Sequence, residues 1–151
     1  MTQQLEAEKL ESLTKEIYNL ADEMRSEKKT QLVGVKLIET NVVCEKITEY
    51  SDIYEMLNAS SQHSEKFEGY DLIAVLTAGW AAPNNNDEYN NLPPSEHPER
   101  RRVKLAMVGY TAEQTASVLS FDDTQELIYS SGEGQGALQE AFEAMLSDIG
   151  W

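Results

Sequence analysis

Leu10, Leu13, Ile17, Leu20 and Met24 recur at spacings of 3, 4, 3 and 4, with Glu11, Lys15, Glu16, Asn19, Asp22 and Glu23 filling the gaps. That period lines one face of an amphipathic helix and predicts α-helix from about residue 3 to residue 28. Glu11 and Lys15 make a favourable pair one turn apart. The stripe spans only about two heptads, short for a coiled coil. It therefore serves either to pack on the protein's own sheet or as a dimer seam, with Leu13 and Leu20 as its centre.

The pattern then changes. Residues 30–40 mix β-favouring and apolar positions (Leu32, Val33, Val35, Leu37, Ile38), and Asn41 is placed to turn the chain into a second strand through Val42, Val43, Cys44 and Ile47. The two read as a hairpin. Ser51 is an expected N-cap for a short helix ending near Asn58, with Ile53, Met56 and Leu57 inward. Residues 59–69 read as loop. Leu72 to Leu76 form an unbroken apolar run. Continuity in place of alternation implies burial on both faces, hence a central strand over 70–80.

Residues 81–101 contain all four prolines and five asparagines, and no regular element fits them. Strands resume at 102–110, with Val103, Leu105 and Met107 on one face, then at 116–121 and 126–129. The Gly-rich 130–136 leads into a final helix over 138–147 through Leu138, Ala141, Phe142 and Met145. Consecutive strands joined by short turns are antiparallel. The expected fold is α+β: an antiparallel sheet of five or six strands covered by an N-terminal amphipathic helix, a short middle helix and a C-terminal helix. The organisation is residues 1–29 as that first helix and 30–151 as the α+β domain, with the 81–101 loop set into it. In coarse element order this is similar to profilin-like and roadblock-like modules, a likeness of topology that implies nothing about activity.

Composition excludes more than it identifies. Of 151 residues, 40% are hydrophobic and 26% charged, ordinary values for a globular chain. No apolar run approaches the ~20 residues needed to span a bilayer, and the acidic start is unlike a signal peptide. The single cysteine, Cys44, points to the cytoplasm, and its Val42 and Val43 neighbours point to packing.

Acids outnumber bases 27 to 12, and from Leu105 to Trp151 there are eight acids and no Lys or Arg. General binding to nucleic acid or to anionic membrane is thereby disfavoured. Acidity raises the alternative of a nucleic-acid mimic. Fifteen net charges on the about 7,700 Å² expected of a 17.0 kDa protein give roughly one per 500 Å². Duplex DNA, with a phosphate per ~1.7 Å of axis, presents very roughly one per 100 Å². A mimic would have to gather its acids on one face.

Few residues offer chemistry. Arg100, Arg101, Arg102 and Lys104 form one basic island in the acidic half, able to hold a partner's carboxylate or phosphate or to neutralise the protein's own acids. In a strand Arg102 and Lys104 share a face and Arg101 takes the other. His97 lies between Glu96 and Glu99 but has no second ligand motif, and no metal or other cofactor is expected. Gly132, Gly134 and Gly136 precede a helix as phosphate loops do, yet Glu133 sits among them. Trp80 and Trp151 are candidate partner anchors.

The expectation is a non-enzymatic acidic module that binds a protein partner or itself through the first helix and the 81–101 loop, as an inhibitor or adaptor of a host or phage complex. Its partner-binding candidates are Leu13, Leu20, Trp80, His97, Arg100, Arg101, Arg102 and Trp151. One alternative is a nucleic-acid-mimicking inhibitor of a DNA-binding protein. Another is a small-ligand binder or enzyme with a site converging on Asp71, His97 and Arg100 to Arg102.

Overall fold

The computed structural model describes residues 6–21, 29–81, 96, 98, 101–124, 126–131 and 137–151. Three helices, α1 (Ala7–Ala21), α2 (Ile53–Ser60) and α3 (Ala137–Asp148), accompany six strands. The strands are β1 (Thr30–Ile38), β2 (Asn41–Tyr50), β3 (Leu72–Ala81), β4 (Arg101–Thr111), β5 (Gln114–Phe121) and β6 (Leu127–Ser131). They form one antiparallel sheet in the order β2-β1-β3-β4-β5-β6, so the fold is α+β as expected. No described helix is long and apolar enough to cross a membrane.

The sheet is the middle of three layers. Along β3 successive side chains point to opposite faces. Leu72, Ala74 and Leu76 meet Leu13, Ile17 and Tyr18 of α1 on one side. Ile73 and Val75 meet Met56 and Leu57 of α2 and Phe142, Met145 and Leu146 of α3 on the other. All five of these β3 residues are fully buried, which is why the run is continuous where a one-sided strand would alternate. Each of the Leu, Ile and Val side chains among them contributes about 1.5–3 kcal/mol relative to exposure. Small residues let the layers approach. A Cβ on Gly109 of β4 would stand 2.5 Å from Leu146 Cδ1, so α3 rests directly on the strand there.

Four local expectations are corrected. The buried face of α1 is Leu10, Leu13, Thr14, Ile17 and Tyr18, the i, i+3, i+4, i+7, i+8 set, and Leu20 falls off it at 47% exposure. Thr14 is tolerated inside because its hydroxyl donates to Leu10 O at 2.6 Å. The cap of α2 is Asp52, not Ser51: its Oδ1 accepts from Glu55 N at 2.9 Å. The β1–β2 turn is Glu39–Thr40, with Ile38 opposite Asn41 and Glu39 at φ 58°, one residue ahead of the expected turn at Asn41. Finally, the expected loop at 59–69 contains a 3-10 turn, Ser64–Phe67, that plants Phe67 in the core at 1% exposure.

Candidate functional site

The described bases of the island, Arg101, Arg102 and Lys104, are engaged within their own protein. Arg101 opens β4 on the face of Val103 and Phe121 and forks onto Asp123 of the β5–β6 turn. Its Nε donates to Oδ2 at 2.9 Å and its Nη2 to Oδ1 at 2.6 Å, and the guanidinium lies 3.9 Å from the Phe121 ring centre. The hydrogen bonds from Arg101 hold the Asp123 carboxyl below its usual range, and the same bonds raise Arg101. Arg102 and Lys104 are engaged as well. Arg100 and His97 lie outside the described residues.

Asp71 also has a structural task. Its amide donates to Val35 O and its Oδ2 accepts from Leu37 N, both at 2.7 Å, which staples the end of β1 to the start of β3. Asp71 immediately precedes β3, whereas Arg101 pairs with Ala81 at the other end of that strand. Ten residues at ~3.3 Å each put the two about 30 Å apart. The expected convergence of Asp71 with the arginines is overturned, because β3 is extended between them.

The apolar candidates divide similarly. Leu13 is 8% exposed and belongs to the core under α1, so the dimer seam through it is occupied by the protein's own sheet. Trp151 packs on the α3 side of the sheet, and its indole N–H donates to Gly109 O at 3.2 Å. Its role is a clamp on β4 rather than a free anchor. The indole reaches the strand where the β4–β5 register breaks, between Gly109 and Thr111. Trp80 pairs with Arg102 in the ladder, and its side chain lies outside the described residues. Cys44 is half-buried against α1, where burial and then the charge of Glu16 raise its thiol and make the thiolate scarce. The His63 ring lies beside Glu65, Nδ1 to Oε1 at 3.2 Å. Among the described residues no three His, Cys, Asp or Glu gather as a metal site.

What sequence reasoning missed is the outer layer. Between α2 and α3 runs a groove of about 270 Å³. Leu57 and Met145 floor it, and Ala141 and Ala144 keep its α3 wall low. Tyr54, half exposed, and Asp148 stand at the rim. The signal was present: α3 places two alanines three residues apart beside Met145 and carries no base. Only the packing of α2 beside α3 turns that spacing into a concavity.

Charge differs from element to element. Along α1, β1 and β2 lysines sit against acids: Lys15 with Glu11 at 3.6 Å, Lys36 with Glu45 at 3.6 Å on the sheet face that α2 and α3 cover, and Lys29 and Lys46 with Glu49 at 3.7 and 3.5 Å; the turn after α2 carries Lys66. In α2, α3 and the α2 cap the charged residues are Asp52, Glu55, Glu140, Glu143 and Asp148, with no Lys or Arg. Glu143 is turned inward, accepting from Thr115 Oγ1 at 2.9 Å and Gln139 Nε2 at 3.1 Å. Asp52 serves the α2 cap, Asp148 lines the groove, Glu140 lies one turn from Ala144, and Glu55 lies three residues from Asn58. Comparison of the chain with family models, curated proteins and solved structures finds no match.

Proposed function

We propose that this chain is a non-enzymatic acidic protein-interaction module, an inhibitor or adaptor acting in the cytoplasm on a protein partner with a basic surface. The observation that carries this reading is the distribution of charge among the elements: lysines accompany the acids of α1, β1 and β2, and neither α2 nor α3 contains a base. An uncompensated field of one sign speeds encounter with the opposite sign and rejects like-charged surfaces. The spending of Asp71 and Arg101 on internal bonds further supports recognition over catalysis. The enclosure of Leu13 in the core favours a different protein over a second copy docked through α1.

The test is capture by the immobilised protein from its native source, at low and high salt, beside binding assays with duplex DNA and heparin. The reading expects a stoichiometric basic protein that is released as salt rises, and no binding to DNA or heparin. Tight, salt-sensitive DNA binding rejects it. A metabolite that raises the melting temperature by many degrees also rejects it, in favour of a ligand-binding protein. A captured partner that duplex DNA displaces would make the module a nucleic-acid mimic.

A further inference from the structure

We infer that the α2–α3 groove is the docking site, and that its occupant is a short amphipathic basic helix of the partner, seated by one or two apolar side chains and flanked by Lys or Arg. The inference rests on the acidic-module reading and deepens it by naming the site and the element that enters it.

The volume sets the scale. At about 270 Å³ the groove falls just below the range usual for pockets that enclose a whole small molecule, and it suits a few side-chain groups. Its floor is apolar, with Leu57 3% exposed and Met145 2%, and Asn58 and Ser61 add polar groups on the α2 wall. Met adapts its shape to whatever is inserted. The low wall of Ala141 and Ala144 admits a side chain from above, and Tyr54, at 50% exposure, is an aromatic flank ready to be covered. The length of the walls sets the partner element. Helices of 8 and 12 residues run about 12 and 18 Å, which matches two to three turns of a third helix. Anchors at i and i+4 would then both reach the groove.

The rim sets the sign. Asp148 lines the opening, with Glu55 and Glu140 close by on the same two helices, and both helices lack a base. An acidic or neutral amphipathic helix would bury apolar surface here against carboxylates that form no ion pair among the described residues. A lysine-rich one places ammonium groups beside them. A second copy of this chain is the poorer fit, since its own amphipathic faces are buried in the core or acid-rimmed.

The probe is a fluorescein-labelled helical peptide of leucines and lysines in amphipathic order, with a scrambled peptide of the same composition beside it. Ala144→Leu fills the groove without altering charge. Asp148→Lys and Glu11→Lys change net charge equally, one at the rim and one on the solvent side of α1. All three positions are on helix surfaces, and a melting curve of each variant verifies folding. The expected result is tighter binding of the amphipathic peptide than of the scramble by about tenfold. Ala144→Leu should weaken it about tenfold, the order expected from losing one buried apolar anchor. Asp148→Lys should weaken it several-fold more than Glu11→Lys. Amide shifts should cluster on α2 and α3.

Equal binding of the scramble, or an unchanged affinity in Ala144→Leu with all variants folded, overturns the groove and leaves the acidic-module reading standing. No binding of either cationic peptide at low salt removes both. A wild type that self-associates and an Ala144→Leu that is monomeric would assign the groove to a second copy, which also overturns the proposal.

Discussion

The ring of Tyr70 lies face-on over Gly34. A Cβ built on Gly34 would stand 2.5 Å from Cδ1 and Cε1 of that ring and 2.6 Å from Cε2, near-equal distances that only a stacked ring produces. The Tyr70 hydroxyl then donates to Glu45 Oε2 at 2.9 Å, and Glu45 is the residue opposite Gly34 in the β1–β2 register. Lys36 completes the group, 3.6 Å from Glu45 and 5.4 Å from the ring centre. An aromatic ring thus covers a bare strand position, doing for β1 what a side chain of its own would do.

Gly34→Ala should destabilise the protein by about 1–3 kcal/mol, the usual cost of forcing an added methyl into an occupied site. Urea unfolding measures it, with the slope unchanged. In a Tyr70→Ala background the same substitution should cost much less. Equal penalties in the two backgrounds would show that the ring is not the obstacle.

Tyr70 should ionise late. The hydrogen bond to Glu45, then burial and the carboxylate's charge, raise it above the ordinary 10.0. A raised acid favours its neutral form in the folded state. The stability it adds is complete below the unfolded value and is lost as pH climbs through the folded one. The absorbance titration of wild type minus Tyr70→Phe should therefore show a midpoint above that of free tyrosine, and Glu45→Gln should move it down.

Tyr129→Phe should stabilise. The Tyr129 hydroxyl is buried against the α1 layer with no hydrogen-bond partner among the described residues. Removing an unsatisfied buried hydroxyl recovers about 1 kcal/mol. The ring stays, and with it the Lys15 ammonium 5.9 Å from its centre. A lower melting temperature for Tyr129→Phe would mean that the hydroxyl is bonded in solution.

Trp151→Phe should cost about 1 kcal/mol, the worth of the indole bond to Gly109 O. Trp151→Ala should cost more, because it also uncovers apolar surface beside α3. Thermal unfolding of the two variants separates the bond from the packing. An unperturbed Trp151→Ala would return this residue to the list of free surface anchors.

Much of the architecture was readable along the chain. The apolar run Leu72 to Leu76 announced a two-sided central strand, and β3 lies between β1 and β4. The β1–β2 hairpin, the last three strands and α3 stood near their expected positions, since each leaves a local period of two or 3.6, and α1 occupies 7–21 of the expected 3–28, with 3–5 and 22–28 outside the described residues. Functional residues were harder to read. Arg101 was visible as a base in an acidic half, but its partner Asp123 is 22 residues away and meets it only across the β4–β5 pair. Leu20 kept the 3-4 rhythm of the first helix and still fell off the buried face, because the sheet selected Thr14 and Tyr18 in its place.

Side-chain periodicity is a property of neighbours in the chain, so it decided the kind of each element, the antiparallel sheet and the acid excess. The face each helix covers, the about 30 Å between Asp71 and Arg101 and the groove between α2 and α3 depend on contacts between residues far apart in sequence. No local period encodes such contacts. They exist only once burial on both sides of β3 has set α1 against one face and α2 with α3 against the other.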